Sequence, residues 1–195
     1  VTLAISRELE AMINAIPGYK AVMIGDGDYY IGLRERTELG HKHNADLYLA
    51  THADAHSSSQ AKGSTIYALS ANGATSEQAR LLAEKENASD LIGGLGRVRL
   101  DDKDEMLRSV LIDFSMNAKI ATSLEIGDQV IRVLGDVIPM RRNNVEQAAF
   151  VELKSADIPS LLIEAGYITN ARDAKNLDSP EWRRNFAGAL TTAIT

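Results

Sequence analysis

Asp46-Leu47-Tyr48-Leu49-Ala50-Thr51-His52-Ala53-Asp54 is the stretch on which the fold turns. A short apolar run with aromatic and β-branched members reads as a buried strand, and this one, Asp46 to Thr51, delivers His52 and Asp54 at its carboxyl end. A second such run, Ser160 to Ile163, comes late in the chain and delivers Glu164. Further strands are expected over Tyr19–Ile24, Ser64–Leu69 and Phe150–Leu153. Between them lie helical patterns: one before Pro17-Gly18, one running out near His43-Asn44, a long stretch from Thr75, Asp104 to Leu134, and a last helix from about Pro180 to Ile194. Thr75-Ser76 forms a plausible cap for the long stretch, and Gly93 to Gly96 interrupts it. Strands alternating with helices predict an α/β layer fold with a largely parallel sheet. Right-handed crossovers gather parallel carboxyl ends on one edge, so His52 and Glu164 are expected at a common rim.

A chain of 195 residues with 45% hydrophobic and 25% charged content is sized for one domain, here 1–195. The net charge of -6 argues against nucleic acid as a partner, since phosphate recognition requires clustered positive charge. The absence of cysteine removes disulfides, thiolate metal sites and thiol nucleophiles, leaving His, Asp, Glu, Ser, Thr and Lys to carry any chemistry. No apolar run has the length of a membrane span. Val1 falls directly inside an amphipathic pattern of Ile5, Leu9, Met12, Ile13 and Ile16, which reads as a cut edge, so the missing signal peptide says nothing about export.

A neutral imidazole binds zinc well, and a nearby carboxylate can move a proton during hydrolysis. On spacing alone, a His after a strand is more often a hydrogen-bonded core or turn residue, and a lone acid such as Glu164 also reads as a cap or an arginine partner. His41 and His43 fall two apart at the end of a polar helix and are expected in solvent. His56, four residues after His52, precedes Ser57-Ser58-Ser59, which favours a loop over a metal-binding helical pair. Asp54 fits either an orienting partner of His52 or an exposed turn.

The chain resembles, over almost its whole length, the zinc-dependent N-acetylmuramoyl-L-alanine amidases of the cell-separation type. The resemblance is carried by Asp28-Tyr29-Tyr30-Ile31 with Leu33-Arg34-Glu35-Arg36, Ala45-Asp46-Leu47 with His52-Ala53-Asp54-Ala55, and Tyr67-Ala68-Leu69-Ser70 with Gly73-Ala74-Thr75-Ser76. It continues through Glu86 to Gly94, Val145-Glu146-Gln147-Ala148, Leu153-Lys154-Ser155, Asp157-Ile158-Pro159-Ser160, and Glu164 with Tyr167-Ile168 and Asn170. It implies an α/β fold with a mixed, largely parallel sheet flanked by helices on both faces, a Zn2+ cofactor, His52 as a zinc ligand, Glu164 as the catalytic glutamate, and hydrolysis of the amide joining N-acetylmuramic acid to L-alanine in peptidoglycan. It also implies a periplasmic or otherwise extracytoplasmic setting. The family's other two protein ligands, a His and a Glu, lie before the helix that opens this chain, together with the first strand, so this chain alone is expected to bind little zinc and show little activity. Ala50-Thr51, Ile24-Gly25 and Ala165-Gly166-Tyr167 depart from the family's usual residues without touching the reactive groups.

The resemblance further implies a helical regulatory insertion, over 75–116, that lies across the zinc site until an activator protein draws it away. Glu84, Glu86 and Asp90 are the candidate blocking acids, with Glu86 the preferred one; an ordinary solvated face is the plain alternative. Met106, Leu107, Val110 and Leu111 form an apolar face suited to core or to activator docking. Two other classes compete with the amidase: a catalytically inert relative that binds peptidoglycan or an activator, and an aminopeptidase-like zinc exopeptidase, which the His-Ala-Asp and late Glu pairing fits less well.

Overall fold

The computed structural model describes residues 1–92, 106–155 and 157–195, with side chains described outside 91–115. The elements run α1 (Thr2–Asn14), α2 (Leu33–Lys42), β1 (Tyr48–His52), β2 (Thr65–Leu69), α3 (Glu77–Asn87), α4 (Ser89–Ile92), α5 (Met106–Gly135), β3 (Glu146–Ala148), a 3-10 turn (Val151–Leu153), β4 (Ser160–Glu164), α6 (Ala171–Asp178) and α7 (Pro180–Ile194). The sheet order is β1-β4-β2-β3. β1 and β4 are parallel, β2 and β3 are parallel, and β2 runs antiparallel to β4, which makes the sheet mixed with parallel pairs in the majority.

Strand alternation divides the core into two layers. Leu161 and Ile163 of β4, with Ile66 and Ala68 of β2, face the helices α1, α5 and α7, where Ile5, Leu9, Val130, Leu134, Phe186 and Leu190 close the layer. Leu162, Tyr48, Ala50 and Tyr67 face the opposite way, toward Ala79 and Ala83 of α3 and toward Phe150 and Leu153. Burial of apolar surface on both faces accounts for β4 being buried along its whole length. α5 lies so close to the sheet that a Cβ on Gly127 would stand 2.6 Å from Val145 Cγ2 and 3.3 Å from Leu161 Cδ2.

Two expected strands are absent from the sheet. Tyr19–Ile24 has no ladder partner; Tyr19, Val22 and Ile24 line a cavity of about 780 Å³ between α1, the segment that follows it and β1. β1 is an outer strand with an edge to spare, but the cavity holds this segment away from it, so the run stays unpaired among the described strands. Phe150–Leu153 is not a strand either: the pairing segment is Glu146–Ala148, and the chain then tightens into the 3-10 turn with Phe150 and Leu153 both buried. A short apolar run does not discriminate strand from turn by period alone. α6 was not expected from the pattern. Its cap is plain once seen, since Asn170 Oδ1 accepts from Arg172 N and Asp173 N.

The Gly93 to Gly96 break lies outside the described residues, as do the side chains of Met106, Leu107, Val110 and Leu111.

Candidate metal centre and active site

His52 closes β1 and Glu164 closes β4, and the two are register partners in the parallel ladder. Their Cα atoms therefore sit one strand spacing apart, about 4.8 Å. Equal parity with Tyr48, Ala50 and Leu162 sends both side chains to the α3 face. The common rim expected from two strand ends is present.

The His52 ring stands between two carboxylates. Nδ1 is 3.3 Å from Glu86 Oε2 and Nε2 is 3.2 Å from Glu152 Oε2. Burial alone would depress the imidazole, but the hydrogen bonds and charges of Glu152 and Glu86 outweigh it and lift His52 to about 10. Glu152 is itself buried, and burial would raise it; the His52 contact and the Arg36 charge prevail and hold it down at about 2. Its other oxygen accepts from Arg36 Nη1 at 2.6 Å and from Tyr48 Oη at 2.9 Å.

Glu164 is fully buried. One oxygen accepts from Asp54 N at 2.8 Å, and the other is buried with no hydrogen-bond partner among the described residues. Burial, reinforced by the negative charge of Asp54, pushes Glu164 up to about 8. An unsatisfied carboxylate oxygen at a strand end costs free energy in the resting fold, which is the mark of a group shaped for something else to bind.

α3 brings Glu86 to this rim for a sequence reason. Ser76 caps the helix through Oγ to Ala79 N, and Ala79 and Ala83 are small enough to let it settle on the sheet. Glu86 falls on that same face, three residues beyond Ala83. Next to it, Lys85 Nζ lies 3.1 Å from Asp54 Oδ2 and 3.7 Å from Glu86 Oε1. His52, Asp54 and Glu86 each place one ligand atom within 4.8 Å of the other two. An imidazole with carboxylates suits zinc, whose ligand atoms at about 2.0–2.2 Å stand about 3.4 Å from one another in a tetrahedron. The 3.3 Å between His52 Nδ1 and Glu86 Oε2 matches that spacing. These three groups thus lie close enough together to hold a metal ion.

The remaining candidates lie elsewhere. Glu84 is exposed and pairs with Arg80. Asp90 Oδ1 accepts from Tyr30 Oη at 2.6 Å and from Leu33 N at 3.0 Å, so it serves the first turn of α2. His41 is 3.3 Å from Asp157 at the surface, and His43 is exposed. His56 is in a loop, as its serine-rich neighbourhood suggested. Glu152, which sequence reasoning passed over, is as close to His52 as Glu86 is. The available signal was an acid inside an otherwise apolar Phe-Val-Glu-Leu run, where solvent exposure was not assured.

With the rim in view, the class is an α/β protein whose sheet edge joins an imidazole to several acids, as metal-assisted hydrolases arrange them. The chain belongs to the N-acetylmuramoyl-L-alanine amidase family, whose profile matches residues 1–195. It is 36% identical over 194 residues to N-acetylmuramoyl-L-alanine amidase AmiA of Escherichia coli K12, covering all of this chain and 66% of that protein. It is 37% identical to AmiC of Escherichia coli O6:H1, again over the whole chain but 46% of that protein. The chain thus spans between about half and two thirds of the length of these relatives. In fold it superposes on an N-acetylmuramoyl-L-alanine amidase from Clostridium difficile 630 with a TM-score of 0.67, at 16% identity, over 98% of this chain and 78% of that one. The CwlD amidase of Clostridioides difficile, solved in complex with the GerS lipoprotein, gives 0.66 at 18% identity, over 98% and 81%.

Proposed function

We propose that the protein containing this chain is a zinc-dependent amidase that hydrolyses the bond between N-acetylmuramic acid and L-alanine in peptidoglycan. The observation that carries this reading is the register pair of His52 and Glu164, with an unsatisfied Glu164 oxygen facing the rim. His52 would hold the ion through Nδ1, with Asp54 within reach of the same position. When bound, the ion would supply Lewis-acid polarisation of the amide carbonyl. Glu164, at the rim opposite His52, would take a proton from the attacking water and return it to the leaving alanine nitrogen; raised to about 8 it is a stronger base than an ordinary carboxylate once ionised. The products are the lactyl carboxylate and the free amine of the peptide.

Glu86 is the residue we assign to autoinhibition. Its carboxylate occupies the Nδ1 side of His52, where water and substrate would need to enter, so 75–116 acts as a regulatory insertion and a protein activator is expected to draw α3 aside. An extracytoplasmic setting follows from the substrate. No helix among the described residues is long and apolar enough to cross a membrane.

The test uses full-length protein, zinc analysis and release of peptide from purified peptidoglycan. Glu164→Gln should keep the metal and lose turnover, whereas His52→Ala should lose the metal. Near-normal turnover by Glu164→Gln would overturn the assignment.

A further inference from the structure

The peptide that leaves in such a reaction needs a place to bind, and the first turn of α3 marks one. Gln78 Oε1 accepts from Arg141 Nη2 at 2.9 Å and from Arg142 Nη2 at 3.3 Å. Its amide nitrogen is 2.5 Å from His56 Nε2. The Arg141 guanidinium lies 5.6 Å from the centroid of the Tyr167 ring, and His56 meets the same ring edge-on at 5.3 Å. Arg141 Nε is buried with no hydrogen-bond partner among the described residues, and no carboxylate among them lies within 4.0 Å of that guanidinium. Arg142 has Glu146 at 3.5 Å.

Two guanidinium groups on one neutral carbonyl oxygen leave charge and donors unused. A carboxylate, with two oxygens and a negative charge, matches that fork better than an amide does. The position also suits a substrate. Arg141 N donates to Ser64 O at 2.8 Å, Ser64 bridges Met140, and the next residue, Thr65, is the register partner of Glu164. Two strand spacings, about 10 Å, therefore separate the Arg141 backbone from Glu164. An extended peptide advances about 3.3–3.6 Å per residue, so a carboxylate two or three residues past the scissile amide falls at this distance.

We propose that Arg141 and Arg142, flanked by His56 and Tyr167, form a subsite for a carboxylate of the leaving peptide, and that Gln78 fills it in this structure. The proposal rests on the amidase reading and extends it: α3 covers the rim at two points, with Glu86 at the metal position and Gln78 at the carboxylate position.

Calorimetric titration of the full-length protein with a short acidic peptide beginning in L-alanine, and with the same peptide amidated at its carboxylates, tests this without turnover. The acidic peptide should bind about tenfold or more tightly than the amide, as expected for a charge-assisted pair. Arg141→Gln should abolish that preference, weakening the acid far more than the amide, and Gln78→Ala should strengthen binding of the acid. Arg142→Gln, at an exposed side chain, gives the same readout if Arg141→Gln fails to fold. Equal binding of acid and amide by the parent, or a preference that survives both arginine variants, overturns the subsite. Cleavage of acidic and amidated peptidoglycan fragments with equal KM would do so as well while leaving the amidase reading intact. Preference for the acid in a protein that never cleaves would instead overturn the amidase reading and keep the subsite.

Discussion

Glu152 Oε2 meets His52 Nε2 at 3.2 Å, on the side of the ring opposite Glu86. A carboxylate there keeps a proton on Nε2 and fixes the ring's orientation, so the proton that a metal would displace is the one Nδ1 shares with Glu86. Glu152→Gln should weaken zinc binding by about 10–100-fold, measured by competition with a chromophoric chelator. Glu152→Ala should also lower stability by about 3–5 kcal/mol in urea unfolding, because Arg36 is left without its buried partner. Unchanged zinc affinity in the Gln variant would remove Glu152 from the site.

The same contacts set how the metal-free protein responds to pH. His52 keeps its proton in the fold up to about 10 against an ordinary 6.5, so its contribution is complete below 6.5 and is lost as pH rises through 10. Glu152 stays ionised down to about 2 against 4.5, so its contribution is complete above 4.5 and is lost as pH falls through 2. Between those limits the pair is at full strength. Glu164, raised from 4.5 to about 8, adds a further loss as pH climbs through that interval. With chelator present, Tm should fall from pH 6.5 toward pH 10, and Glu164→Gln should flatten the part between pH 4.5 and 8. A flat parent profile would contradict the buried charge arrangement.

Removal of the Glu86 carboxylate should open the Nδ1 side of His52. In full-length protein, Glu86→Ala is expected to raise activator-free release of peptide from peptidoglycan several-fold, with Glu84→Ala, an exposed change, as the control that leaves it alone. No rise over the parent counts against the blocking role.

A stability prediction comes from the tight approach of α5 to the sheet. Gly127→Ala would ordinarily strengthen a helix by about 1 kcal/mol. Here the added methyl meets Val145 and Leu161, and overpacking costs about 1–3 kcal/mol, so the net effect should be a loss in urea unfolding. A more stable variant would show that the contact yields freely.

The chemistry of this rim was legible where strands end. His52 and Glu164 each terminate an apolar run, and a parallel ladder turns that coincidence into neighbouring side chains. Glu86 was legible through family likeness and helical spacing. Glu152 was hidden because it sits within an apolar run that reads as a strand, where alternation would have sent it to solvent; the 3-10 turn sends it inward instead. Tyr19–Ile24 misled for a related reason, since strand propensity records what a segment can do and not whether it docks against the free edge of β1. Gln78, Arg141 and Arg142 carry no motif at all, and only the docking of α3 brings them together.

Asp54 and Glu164 are joined across 110 residues of chain. Contacts that close so long a loop form late, because the entropy of closure is met before any reward from the contact. The backbone amide of Asp54 should therefore be among the last to gain protection, so its hydrogen exchange during refolding reports when the two ends of the fold have met.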